Sequence, residues 1–193
     1  MEGYEKSLVV ILCMGLCLIL SSCSHYDFVS DNTDWEEPII GVYDLSEKDS
    51  IQKIFDSYPE KILFAEVEQL NAFIIVHGEA KNQKIWDDFV SSISKNENAA
   101  LVTVQYTIEG DPIFEYVSYT NGYFYYACDI SRDAWGGDES PTTFFGPYPF
   151  LVQFSREGYL EVLLSKVEYG SWNEYQLDEY NNSNSIWLFQ LAE

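Results

Sequence analysis

Chemistry in this chain would rest on few side chains, because 2 histidines and 4 cysteines stand against 32 aspartates and glutamates. His77 follows the apolar run Ala72-Phe73-Ile74-Ile75-Val76, Glu109 and Asp111 flank Gly110 ahead of Pro112, and Arg132 and Asp133 come shortly after Asp129. A pair of carboxylates is what hydrolysis needs for its general acid and base. Glu109 with Asp111 or Asp133 would be that pair in a hydrolase acting on cell-wall or extracellular substrate. The same five residues, His77, Glu109, Asp111, Arg132 and Asp133, are equally the candidates for holding a ligand without transforming it. Each also has a structural reading. Asp111 before Pro112 is a turn former, Arg132 pairs with Asp129 or Asp133, and His77 is a satisfied strand-end side chain. The sequence has no nucleophile motif and no glycine-rich phosphate loop, so a non-enzymatic binding or interaction module is the preferred reading and the hydrolase its alternative.

Metal chemistry is similarly restricted. Zinc needs three or four nitrogen or sulfur ligands, whereas His25 lies close to the N-terminal leader and only His77 and Cys128 remain in the body of the chain. Calcium is the one cation the composition suits: Asp129, Asp133, Asp138 and Glu139 crowd a stretch with Gly136 and Gly137, though their spacing is not that of an EF-hand. No other cofactor is expected.

The N-terminus carries an address. The apolar run from Leu8 to Leu20 ends in Leu20-Ser21-Ser22-Cys23, which resembles a bacterial lipobox. Cleavage before Cys23 would leave its thiol carrying diacylglycerol, with palmitate-type chains as the anchor. The run is shorter than the roughly 20 residues a membrane-crossing helix needs, which argues against an uncleaved anchor. Glu2 and Glu5 beside Lys6 depart from the usual positive start of an export signal. The expected location is the cell membrane, lipid-anchored and facing the extracellular side. Cys13 and Cys17 would leave with the leader, so Cys128 would remain alone, without an internal disulfide, as a packed small hydrophobe. A formal net charge of −22 repels phosphate backbones and excludes nucleic acid as a partner. The partners expected are membrane lipid through acylated Cys23 and a protein, peptide or glycan.

These residues must be positioned by one domain. Residues 1–22 read as a lipoprotein signal peptide, 23–41 as a polar tether and 42–193 as a single α+β domain with one mostly antiparallel β-sheet and about two covering α-helices. The first helix is expected to start at Ser46 as cap, to bury Ile51, Ile54, Phe55 and Tyr58, and to stop at Pro59. Residues 72–76 form a buried strand. A second helix buries Ile85, Trp86, Phe89, Val90 and Ile93. From Leu101 the period becomes two, with Val102, Val104, Tyr106 and Ile108 facing inward on a half-buried strand. Asn121-Gly122 predicts a type I′ turn between strands 113–120 and 123–129. Glycines and prolines make 132–149 a long loop. Phe150 to Phe154 and Tyr159 to Val167 form a hairpin around Glu157-Gly158, and Ile186 to Leu191 is the last strand. The aromatic run Tyr119, Tyr123, Phe124, Tyr125 and Tyr126 puts rings on both faces of the central hairpin, one for the core and one available as a platform.

Phe73-Ile74-Ile75-Val76-His77-Gly78, the helix of Trp86, the string Gln105-Tyr106-Thr107-Ile108-Glu109-Gly110-Asp111-Pro112-Ile113-Phe114 and Asp129-Ile130-Ser131-Arg132-Asp133-Ala134-Trp135-Gly136 together resemble the domain of unknown function 4362 (DUF4362) family. Its members are small, mainly Firmicute proteins, many of them predicted lipoproteins. The resemblance implies a Gram-positive source and supports the lipid anchor. It carries no activity or catalytic residues with it.

Overall fold

The structure, a computed structural model, describes residues 38–60, 62, 67–136 and 142–192. The expected leader, Cys23, His25 and the tether up to residue 37 lie outside the described residues. Helix α1 (Lys48–Ser57) buries Ile51, Ile54 and Phe55, one stripe of a 3.6-residue repeat, with Tyr58 buried just beyond. It stops where Tyr58 turns to extended backbone ahead of Pro59, since a proline ring crowds helical backbone in the residue before it. Its expected start at Ser46 is corrected. Asp44 Oδ1 accepts from Ser46 N at 2.7 Å and Ser46 Oγ at 2.5 Å, opening a 3-10 turn (Leu45–Glu47) that leads into the helix. A carboxylate is the stronger acceptor, and these two bonds hold the Asp44 carboxyl below its ordinary pKa.

Six strands form the large sheet: β1 (Phe73–Val76), β2 (Glu79–Lys81), β3 (Ala99–Tyr106), β4 (Pro112–Thr120), β5 (Tyr123–Asp129) and β6 (Thr142–Tyr148), in the order β2-β1-β3-β4-β5-β6. Every neighbouring pair is antiparallel except β1 with β3, where Phe73 lies opposite Thr103. The connection between that parallel pair runs through β2 and helix α2 (Gln83–Ser94), which buries Trp86 and Phe89. Asn121 and Gly122 both take positive φ, 53° and 82°, as the expected turn between β4 and β5 requires.

Two expectations for this sheet fail. The stretch read as a loop over 132–149 contains β6. Its Gly146 and Pro147 read as turn residues, but β6 is an edge strand, where a missing amide donor costs no ladder bond. Strand β3 is not half-buried: Leu101, Val102, Thr103 and Val104 are all buried, because the sheet is covered on both faces. The inward alternation ends at Tyr106, and Ile108 is 98% exposed in the turn closed by Gly110 N donating to Thr107 O at 3.0 Å.

A second, three-stranded antiparallel sheet accompanies the first, made of β7 (Phe150–Arg156), β8 (Tyr159–Ser165) and β9 (Ser185–Ala192). Short helices α3 (Trp172–Leu177) and α4 (Asn181–Asn184) connect β8 to β9, which makes four α-helices among the described residues. The shared core joins Phe73 of β1, Trp86 and Phe89 of α2, Val117 of β4 and Phe124 of β5 to Val162, Leu164, Phe189 and Leu191 of the small sheet. A register shift in the β8–β9 ladder pairs Val162 with Phe189 and Leu163 with Trp187, leaving Leu188 between them without a cross-strand partner.

The β4–β5 turn yields a clean test. No atom lies within 4 Å of a Cβ added at Gly122, so Gly122→Ala meets only the backbone cost of φ +82°. Its unfolding free energy falls by about 1 kcal/mol, read as a lower urea midpoint at unchanged slope. Gly122→Asn loses less.

Candidate functional site

Because β1 runs parallel to β3 while β4 and β5 alternate, the end of β1, the β3–β4 turn and the end of β5 come out at the same end of the large sheet. All five candidate residues therefore lie at that end. His77 and Gly78 make the β1–β2 turn with φ of 51° and 80°, and His77 is exposed. Glu109 is exposed on the β3–β4 turn. Asp111 Oδ2 accepts from Ala134 N at 3.0 Å, tying that turn to the loop after β5. Asp133 Oδ1 accepts from Trp135 N at 2.9 Å. Asp111 and Asp133 thus each hold a backbone amide of one loop, while His77 and Glu109 stand on separate turns.

The loop that bears Asp133 is braced over its described part, as far as Gly136. Asp129 Oδ1 accepts from Ser131 N, Ile130 O from Asp133 N, and Asp133 O from Gly136 N, at 2.8, 3.1 and 3.0 Å. A Cβ at Gly136 would stand 2.9 Å from the Ile130 carbonyl, so this close approach requires glycine. Trp135 projects from the braced loop 81% exposed, beside the turn that carries Ile108. The tip therefore presents two large apolar side chains on tethered loops, with Glu109 and Asp133 as their sequence neighbours.

Arg132 is built into the fold. Its guanidinium pairs with the buried Asp129 carboxylate (Nη1 to Oδ2, 3.1 Å), one of the two partners expected. Nη2 donates to Phe55 O at 2.9 Å and Tyr58 O at 3.0 Å, and Nε to Pro59 O at 3.2 Å. The cation also lies 4.6 Å from the Phe114 ring centroid. Arg132 thus closes the carbonyl end of α1, where a helix dipole favours positive charge. Asp129 is occupied by this pairing. Asp138 and Glu139 lie outside the described residues, and among the described residues no group of three or more His, Cys, Asp or Glu is placed to hold a metal ion.

One polar centre escaped sequence reasoning. Glu115, midway along β4, is buried with Thr103 Oγ1 2.7 Å and Gln105 Nε2 2.8 Å from Oε2, and Tyr126 Oη 2.7 Å from Oε1. Burial raises its pKa against the pull of these three hydrogen bonds, and among the described residues no cation offsets it. The same burial lifts Tyr126 well above its ordinary value and the Cys128 thiol to about 11, so Cys128 sits as a neutral thiol in a strand, as read from its surroundings. The available signal was a lone acid inside Ile113-Phe114-Glu115-Tyr116-Val117.

On the outer face of the small sheet, Trp172 stacks on Tyr175 with ring centroids 5.2 Å apart and lies under the Arg156 guanidinium at 4.6 Å. A cleft of about 360 Å³ runs between residues 38–43 and α1, lined by Ile39, Tyr43, Lys53 and Ile54 among others.

These features define an α+β domain whose two-faced sheet carries a braced, apolar-tipped loop pair at one end. Residues 70–141 match the family model described as domain of unknown function (DUF4362), a span running from just before β1 to just before β6. No curated protein and no solved structure matches the chain.

Two outcomes follow from the buried groups. Arg132→Leu leaves the buried Asp129 charge without its cation and takes a donor from three carbonyls, and costs about 3–5 kcal/mol. Adding Asp129→Asn recovers part of that loss, and a urea double-mutant cycle measures the coupling. Glu115 keeps its proton in the fold at pH values where the unfolded chain has released it. Unfolding free energy therefore falls as pH rises from the ordinary carboxyl range through the raised folded value, then levels. Glu115→Gln removes that part of the slope in urea titrations run across pH.

Proposed function

We propose that this protein is a lipoprotein anchored through diacylglycerol on Cys23 to the outer side of a Gram-positive cell membrane, and that its domain is a non-enzymatic binding module. The anchor rests on Leu20-Ser21-Ser22-Cys23 and the short apolar run before it. The observation that carries the binding reading is the loop tip. Ile108 and Trp135, 98% and 81% exposed, sit on loops joined by the Asp111–Ala134 hydrogen bond. Exposed large apolar groups gain from being covered, and a loop already fixed by hydrogen bonds loses little entropy when they are. Tryptophan is the side chain that most often dominates such contacts. The flanking carboxylates and the net charge of −22 select a partner with cationic as well as apolar groups, for which a basic peptide segment is the simplest form.

The anchor and the tip are tested separately. Cys23→Ala releases the protein from membranes into the medium and abolishes incorporation of labelled palmitate, and continued membrane retention would overturn the anchor. Trp135→Ala leaves the melting temperature unchanged and weakens binding of basic peptides by about 2 kcal/mol, or thirtyfold. Selective binding of cell-wall glycan, or equal affinity of wild type and variant, would overturn the basic-peptide reading.

A further inference from the structure

Glu115 lies in the layer between the two sheets, and a hydrogen bond from one of its partners crosses that layer. Gln105 Nε2 donates both to Glu115 Oε2 at 2.8 Å and to the Leu188 carbonyl of β9 at 2.6 Å. Leu188 is the residue skipped in the β8–β9 register, which leaves its carbonyl available to a partner outside its own sheet. The donors to Glu115 are all uncharged. Thr103 and Gln105 face it from β3, and Tyr126 from β5 with Cys128 two positions on, while α2, β8 and β9 contribute apolar side chains to the layer. Among the described residues the titratable groups on its side of the large sheet include Tyr126 and Cys128, which burial keeps neutral, and, nearer the β4–β5 turn, Tyr119 of β4 and Tyr148 of β6. Asp129 belongs to the opposite face with Arg132, and Glu161 to the outer face of the small sheet, where Gln190 Nε2 donates to it at 3.2 Å.

A negative charge at Glu115 would thus have no cation beside it among the described residues. Thr103 and Tyr126 are buried, whereas Gln105 is half-buried, so a route by which water can reach the carboxylate runs along Gln105 and the β9 contact. We propose that Glu115 is a proton-operated latch between the two sheets. Protonated, it closes an uncharged hydrogen-bonded cluster that Gln105 carries across to Leu188; deprotonated, it draws water into the seam and β9 moves off. One proton released per opening makes the opening equilibrium rise by up to tenfold per pH unit.

Hydrogen exchange of the full chain between pH 5 and 9, corrected for the intrinsic pH dependence of exchange, tests this. Protection of β9 amides is expected to fall by up to tenfold per pH unit from the ordinary carboxyl range upward and to level where the folded-state carboxyl ionises, while α1 and the β4–β5 hairpin hold theirs. Glu115→Gln keeps β9 protection level. The infrared band of the protonated carboxyl, followed in the wild-type chain, should vanish where the fall ends, so the proposal stays open to refutation even if the variant fails to fold. Level β9 protection in the wild type, the same fall in Glu115→Gln, or a band lost before the fall begins would each overturn the latch.

Discussion

The middle of strands β3 and β4 is covered on both faces, and most of the molecule's internal chemistry follows from that. A strand covered on one side can turn its polar side chains outward, but one covered on both must satisfy each of them inside. Tyr116 and Ser118 do so on the α1 face. Tyr116 Oη accepts from Tyr43 N and donates to Gly41 O, both at 2.8 Å, and Ser118 Oγ donates to Tyr43 O at 2.5 Å. Thr103 and Glu115 do so on the other face, within the same strand pair. The inward polar groups therefore serve as attachment points. On one side they hold the chain that leads into α1, and on the other the last strand of the small sheet.

Charge is handled by the same rule at two depths. Arg132 and Asp129 enter the interior together, so each offsets the other, and the guanidinium's remaining donors meet carbonyls at the end of α1 and just beyond it. Glu115 enters without a cation and is tolerated through its hydrogen bonds and raised pKa. The loop above Arg132 inherits the rigidity of the pair, and it is this loop that carries Trp135.

Local rules were readable in the chain, and long-range ones were not. The faces of α1 and α2 follow from spacing, and the hairpins at Asn121-Gly122 and Glu157-Gly158 follow from residues that accept positive φ. The N-terminal cap passed to Asp44 because a carboxylate two residues away outcompetes a hydroxyl. Strand β6 was hidden by Gly146 and Pro147, whose cost depends on an edge position that no local window reveals. The division into two sheets was hidden likewise, since alternation along a strand does not say which sheet it joins. Of the site, the pairing of Arg132 with Asp129 was within reach at three residues' separation, but its helix carbonyls lie far back in the sequence. Glu115 was overlooked because on a half-buried strand an acid would simply point to water.

Strand β9 comes after every other strand in the chain, yet Phe189 and Leu191 belong to the core that β1, β4, β5 and α2 share. Its far end is sewn to the earliest turn of the large sheet, with Ala192 N donating to Gly78 O at 2.9 Å. During synthesis, which proceeds from the N-terminus, the face already covered by α2 and β8 lacks Phe189 and Leu191 until residues 185–192 have been made. This core is therefore held together by contacts of long sequence separation, the kind that a chain forms late.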